Sequence, residues 1–263
     1  MSTVGIIDAH LHIGQPGVFF SPENSPEHLL ETMDRLGVSH AVFTDHVSIT
    51  EGCGATLPAL REISERSGGR LHYLAVFSPH RASECLAAME RATSWPGFAG
   101  VKIHPSFHRV PAEDPRYEPA WRFAAEHGLP ILTHSWSASD YNPVQQLSTP
   151  ARFEPLVGRF PSVRFVLGHA GGRGAGRHEA ARMANQYASV YLDFAGDIFC
   201  YRLIETLAAT VPVEKILFGS DYPWLDPRAN LTRVLLAEVD ATVKLRILRD
   251  NAARVYRIGE QPC

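Results

Sequence analysis

The stretch Val4-Gly5-Ile6-Ile7-Asp8-Ala9-His10-Leu11-His12 is a short apolar, β-branched run that ends in polar residues spaced two apart. The run recurs at His40–Thr44, His72–Phe77, Gly100–Ile103, Pro130–Thr133, Val163–Leu167, Val190–Asp193 and Ile216–Gly219. Runs of this length bounded by turn residues read as strands, and near-continuous apolarity instead of alternation suits strands buried on both faces. Segments with helical periodicity lie between them. Ser25-Pro26 supplies a cap and a first-turn proline for one helix, and Gly37 supplies its stop. Ala55–Ser67, Ala82–Thr93, Tyr117–His127, Pro150–Arg159, His178–Tyr187, Tyr201–Ala209 and a pair within Leu231–Tyr256 read as the others. Strands alternating with such helices force parallel pairing through right-handed crossovers. The repeated units predict an α/β fold, a closed (β/α)8 TIM barrel spanning 1–263 as a single domain, in preference to an open doubly wound sheet.

The 263 residues suit one such barrel, which typically uses about 250. Apolar residues at 45% and charged residues at 20% are ordinary for a globular chain and exclude a disordered or low-complexity one. A net charge of -3 offers no basic field for nucleic acid or an anionic membrane, so a small-molecule partner is expected. No segment approaches the length of apolar residues that spans a bilayer, and the first residues lack a basic region followed by an apolar one; both point to the cytoplasm. Cys53, Cys85, Cys200 and Cys263 show no C-x-x-C spacing and read as free thiols. Asn230-Leu231-Thr232 matches a glycosylation sequon, which carries no weight without a secretory signal. Homo-oligomerisation is compatible with such a barrel, although no segment announces an interface.

The longest irregular connections, Gly14–Ser25, Pro105–Pro115, Trp136–Thr149 and Tyr222–Arg228, follow the first, fourth, fifth and eighth strands. In a barrel these gather at the carboxyl-terminal face, where active sites form. Strand alternation sends His10 and His12 to one side. Alone, that pair would equally fit two satisfied polar residues at a loop start. The fifth strand ends Leu132-Thr133-His134, the sixth Leu167-Gly168-His169 and the eighth Phe218-Gly219-Ser220-Asp221, while Lys102 and His104 stand two apart on the fourth. Imidazoles with a carboxylate suit zinc, manganese, iron or nickel better than calcium or magnesium, and zinc is the first expectation. An ion with an open position lowers the pKa of bound water to about 7. Asp221 could touch that metal and accept the proton; its plainer alternative is a helix cap in Ser220-Asp221-Tyr222-Pro223.

Taken together, Asp8-Ala9-His10-Leu11-His12, Lys102-Ile103-His104-Pro105, the His134 strand end, Gly168-His169-Ala170-Gly171-Gly172, Gly219-Ser220-Asp221-Tyr222-Pro223-Trp224 and Asp250-Asn251-Ala252-Ala253-Arg254 resemble the amidohydrolase superfamily. The nearest branch is the one that includes aminocarboxymuconate-semialdehyde decarboxylase, and the motifs follow the family's order across nearly the whole chain. The resemblance implies a distorted barrel, with His10, His12, His134 and Asp221 as ligands of one divalent metal and His169 close by in catalysis. In two-metal members a carbamylated lysine on the fourth strand bridges the ions and the sixth-strand histidine holds the second. Lys102 and His169 occupy those places, so a second metal stays open. Decarboxylase-like members usually hold one metal, which is the expectation here, and a free Lys102 would then meet a substrate carboxylate.

His104 reads as a substrate contact or as a partner in a structural hydrogen bond. His46 and His80 could line the mouth, whereas His40, His72 and His127 fall at the other end and receive no chemistry. The glycine-rich turn 171–176 fails the dinucleotide pattern because Arg177 stands where the third glycine belongs; its glycines are expected to allow flexibility and close approach to a ligand. Trp136, Tyr141, Tyr222 and Trp224, with Arg109, Arg173 and Arg202, could hold a planar or carboxylated substrate; Trp136, Arg173 and Trp224 join His104 as the binding candidates. The leading function is hydrolysis of an ester, lactone or amide by metal-activated water, with Asp221, His169 and Lys102 as catalytic candidates. The alternative is non-oxidative decarboxylation of an unsaturated or aromatic carboxylate. A barrel without catalysis is the third reading.

Overall fold

The apolar runs pair in chain order. In a computed structural model that describes residues 5–14, 23–196 and 198–259, the strands are β1 (Ile6–Ile13), β2 (Val38–Asp45), β3 (Leu71–Val76), β4 (Phe98–Ile103), β5 (Ile131–His134), β6 (Phe165–Gly168), β7 (Val190–Asp193) and β8 (Ile216–Leu217). Each is parallel to its neighbour, in the order β1 through β8. Backbone bonds from Ala9 N to Phe218 O (2.9 Å), from Asp221 N to His10 O (2.9 Å) and from His12 N to Tyr222 O (2.6 Å) join β1 to the segment around and after β8. The sheet thus curls into the (β/α)8 TIM barrel that the sequence predicts.

Two apolar layers hold the barrel. Outside the sheet, Leu11, Phe43, Tyr73, Phe165 and Leu192 pack against buried helix faces that carry Leu29, Met89, Trp121 and Met183. Inside it, Ile7, Ala9, Val42, Leu74, Leu132, Val166 and Leu217 form a smaller core, stoppered by Ala252, Val255, Tyr256 and Ile258. Strict alternation would send Ile7, Ala9, Leu11 and Ile13 to one face. They divide instead between the inner and outer layers, because the pairing register between β1 and β2 slips by one residue between Asp8 and Leu11. This bulge reverses the phase of the strand, so that His10 and His12 turn inward above Ala9.

The helix Pro26–Leu36 forms as its caps require: Ser25 Oγ accepts from His28 N at 3.2 Å, and Gly37 adopts a left-handed conformation at φ 70°. Other boundaries move. The expected first strand, Val4–Asp8, runs on to Ile13, placing the histidine pair inside the strand; Val4 itself lies outside the described residues. The eighth strand is cut to Ile216–Leu217 because Phe218 N bonds to Ile247 O instead (3.0 Å). The segment Pro150–Arg159 opens as a tight 3-10 turn, Pro150–Phe153, before its helix. The expected C-terminal pair is three helices, Pro227–Leu235, Ala241–Leu245 and Asn251–Tyr256, the last two joined by wider π-type turns. Short helices at His46–Glu51 and Pro105–His108 occupy stretches without helical periodicity.

Cys53, Cys85 and Cys200 are free thiols, while Cys263 and the 15–22 part of the first connection lie outside the described residues. Asn230 is fully buried with its amide donating to Ser220 O, so its sequon is unavailable. No helix among the described residues is long and apolar enough to cross a membrane.

Candidate metal and active site

The carboxyl ends of the strands bring the polar residues together. His10 Nδ1 lies 3.0 Å from Asp193 Oδ2, and His12 Nδ1 lies 2.8 Å from Thr44 Oγ1. With their Nδ1 atoms engaged, the two rings turn Nε2 toward Asp221 Oδ1, at 3.9 and 3.3 Å respectively. Asp221 Oδ1 is buried and has no hydrogen-bond partner of acceptable geometry among the described residues. A buried carboxylate oxygen left unsatisfied beside two imidazole nitrogens is a donor set that fits a divalent transition ion. Burial opposes charge on Asp221, but His12 beside it, with His169 and His10, outweighs that effect and holds the carboxyl well below the usual range.

Asp193 was not among the residues singled out from sequence, yet it sits at the centre of the polar network. It is fully buried; Oδ2 faces His10, and Oδ1 accepts from the backbone of His169 and of Ala195, each at 3.0 Å. His10, His169 and Asp193 form a second group close enough to surround an ion. Lys102 is buried at 1% exposure and donates from Nζ to His10 Nε2 at 2.9 Å; burial pushes its ammonium down to about 8. Because Lys102 donates to Nε2, His10 carries its proton on Nδ1, facing Asp193. Asp8 Oδ1 accepts from His10 N and Ser220 N, tying β1 to the segment after β8, and burial pushes this carboxyl up to about 7 against those bonds.

His169 donates from Nδ1 to the Ala195 carbonyl at 2.8 Å, and its ring lies 5.0 Å from that of His10 and 4.8 Å from that of His134. His134 stands outside both three-residue groups. Its Nε2 meets Gln145 Oε1 at 2.7 Å, and its ring stacks on His104 at 4.3 Å. His104 makes a structural bond: Nδ1 accepts from Phe107 N at 3.3 Å at the start of the helix Pro105–His108. It packs on His134 and does not line the cavity. His169, Ala170 and Asp221 adopt left-handed backbone conformations at φ 61°, 48° and 63°, each costing an L-residue about 1–2 kcal/mol. Bonds from His169 N to Asp193 and from Asp221 N to His10 O hold two of them there.

A cavity of about 660 Å³ opens above His134, His169 and Asp221, with Trp136, Trp224 and Arg173 among its walls. Trp136 meets His169 edge to face at 5.4 Å, and Trp224 stacks on His12 at 4.9 Å while donating to His46 Nε2 at 2.6 Å. His46 thus supports the rim, whereas His80 bonds to the His108 carbonyl. Arg173 lies over the Phe199 ring at 5.2 Å. Arg202 instead pairs with Glu238, and neither Arg109 nor Tyr222 lines the cavity. Gly171, Gly172 and Gly176 of the 171–176 turn serve the protein's own packing, whereas Gly174 has open space around it and lines the cavity. A methyl group on Gly172 would stand 2.6 Å from Trp136 Cδ2, and one on Gly171 would collide with Gly176 O. His40 and His72 pair with each other at the opposite end of the barrel, at 3.2 Å.

A parallel barrel with imidazoles and a carboxylate at its carboxyl-terminal mouth defines a class of metal-site α/β enzymes. An amidohydrolase family model matches residues 7–258, and the chain belongs to that family. No curated protein matches it. Among solved structures it is similar to 2,6-dihydroxybenzoate decarboxylase from Rhizobium, at 14% identity and TM-score 0.74 over 97% of this chain and 99% of that one. It is likewise similar to 5-carboxyvanillate decarboxylase from Sphingomonas paucimobilis (14%, TM-score 0.70, 97% and 99%). A third is a dihydroxybenzoic acid decarboxylase from a Polaromonas species with bound manganese and 2-nitroresorcinol (13%, TM-score 0.74, 98% and 98%). At these identities the likeness is one of fold.

Proposed function

We propose that the protein is a metal-dependent, non-oxidative decarboxylase of an aromatic or other unsaturated carboxylate. The observation that carries this reading is the cavity: flat indole walls and one guanidinium stand over the His134, His169 and Asp221 floor. The names of the similar structures, which are decarboxylases of dihydroxybenzoates and of 5-carboxyvanillate, support the same substrate class. His10, His12 and Asp221, completed by His134, would hold one divalent ion; zinc, manganese, iron and nickel suit these donors, and the Polaromonas structure holds manganese. A single ion is preferred because Asp193 already uses both oxygens within the protein. When bound, the ion supplies a Lewis-acid anchor for substrate oxygens.

The chain's own residues supply the rest. Trp136 and Trp224 hold the ring, and Arg173 at the rim meets an anionic substituent. Loss of carbon dioxide leaves an electron pair on the ring carbon, which must take up one proton. His169 spends its Nδ1 proton on the Ala195 carbonyl, so Nε2 is the atom that delivers the proton from this residue.

Hydrolysis is the second reading, favoured by the unsatisfied Asp221 Oδ1, an acceptor for the proton of an attacking water. One experiment separates the two: the metal-loaded protein is given hydroxybenzoates, lactones and amides in deuterated, oxygen-18 water. Decarboxylation releases carbon dioxide and leaves one deuteron on the carbon that had carried the carboxyl group. Incorporation of heavy oxygen without carbon dioxide would replace the proposal with hydrolysis, and neither outcome from metal-loaded protein would favour a non-catalytic barrel.

A further inference from the structure

Gln145 lies in the tight turn Pro143–Ser148, within the connection after β5 and 11 positions beyond His134, where that strand ends. Its Oε1 stands 2.7 Å from His134 Nε2 and 3.2 Å from Ser106 Oγ. Ser106 and Ser148 hydroxyls are 2.6 Å apart, and Ser148 Oγ also reaches the Gln145 carbonyl at 3.3 Å. Both serines are buried. Two hydroxyls that share one proton leave another to donate, and an amide oxygen is the group that accepts it. The same oxygen then accepts the proton of His134 Nε2. A neutral imidazole carries one N–H, so protonation at Nε2 leaves a lone pair on Nδ1. His134 Nδ1 makes no hydrogen bond among the described residues, and His134 lines the cavity.

We propose that Gln145 is a positioning residue that fixes His134 as the Nε2–H tautomer, so that Nδ1 is the nitrogen this residue offers to a metal. The inference rests on the reading of His134 as a ligand. It adds that the β5 connection, through Gln145 and the two serines behind it, sets the donor atom. Partners that lock the tautomer of a ligating histidine typically change metal affinity by about 10–100-fold when removed. Gln145→Glu keeps an acceptor for Nε2–H, whereas Gln145→Leu removes it.

The test uses the full-length protein labelled with nitrogen-15 histidine, first free of metal and then titrated with manganese or zinc. In the wild type, the His134 nitrogens should report a protonated Nε2 and an unprotonated Nδ1. Gln145→Leu should lose that fixed pattern and bind the metal roughly 10–100-fold more weakly, and Gln145→Glu should restore both. A wild-type His134 protonated at Nδ1 overturns the proposal with no variant needed. So does Gln145→Leu with unchanged tautomer and unchanged affinity. These readouts are independent of turnover: a Gln145-dependent tautomer and affinity in a protein that decarboxylates nothing would retain this inference and remove the proposed function.

Discussion

His10 and Asp193 meet across the barrel, Nδ1 to Oδ2 at 3.0 Å, and the contact leaves Nε2 as the nitrogen of His10 that faces Asp221. Both side chains are essentially inaccessible to water, so no solvent molecule replaces the carboxylate, and Lys102 on Nε2 holds the same tautomer from the other side. Asp193→Ala should weaken metal binding by about 10–100-fold. It should also leave the His169 and Ala195 amides without their acceptor, lowering stability by about 1–3 kcal/mol. Metal titration and denaturant unfolding of the same variant read the two effects, and unaltered affinity would separate Asp193 from the metal site.

Asp221 sits at φ 63°, a conformation that asparagine tolerates better than alanine. Asp221→Asn should therefore abolish metal binding and activity yet keep apo-state stability, and Asp221→Ala should be less stable than Asp221→Asn by about 1 kcal/mol. Chelation should lower the melting temperature of the wild type but not of Asp221→Asn, because only the former gains binding energy in its folded state. Equal sensitivity of both proteins to a chelator would remove Asp221 from the ligand set.

Gly172 has φ 73° and leaves room for the Trp136 indole. Gly172→Ala should push that ring into the cavity, costing about 1–3 kcal/mol of stability by overpacking. Displacement of a substrate-positioning wall by about 1 Å can cost on the order of 100-fold in turnover efficiency. Steady-state kinetics with the best substrate, compared with metal content that should stay at the wild-type level, checks whether the effect acts through the wall.

Burial pushes the His108 imidazole down to about 4, with Nδ1 against the Tyr117 hydroxyl at 2.8 Å. In the unfolded chain this group titrates near 6.5, so the unfolded state binds more protons between those values. Stability is then complete above about pH 6.5 and falls progressively toward pH 4, by up to about 3 kcal/mol from this residue. Urea unfolding of wild type and His108→Gln at pH 7 and pH 4.5 measures the slope, which should be shallower in the variant. Parallel slopes would assign the acid loss to other groups.

Much of this is legible in the sequence. Buried parallel strands advertise themselves as unbroken apolar runs, and their final residues include His134, Gly168 before His169, and Asp193. Asp193 occupies the same kind of position as the others, and only its contacts with His10, His169 and Ala195 distinguish it from an ordinary polar strand end. The bulge after Asp8 left no mark, since alternation alone already put His10 and His12 on one face. It took the neighbouring strand to reveal that the face changes beneath them. Gln145 was beyond reach for a different reason. It belongs to an irregular connection without periodicity, and its role depends on two serines, one of them 39 positions away.

The closure between β1 and the residues after β8 has a consequence for biogenesis. His10 and His12 emerge from the ribosome some two hundred residues before Asp221, and the seam that aligns them needs Tyr222 as well. A nascent chain therefore brings the two imidazoles beside Asp221 only after residues 221 and 222 have been made. Alignment of the three side chains and sealing of the cylinder become a single event.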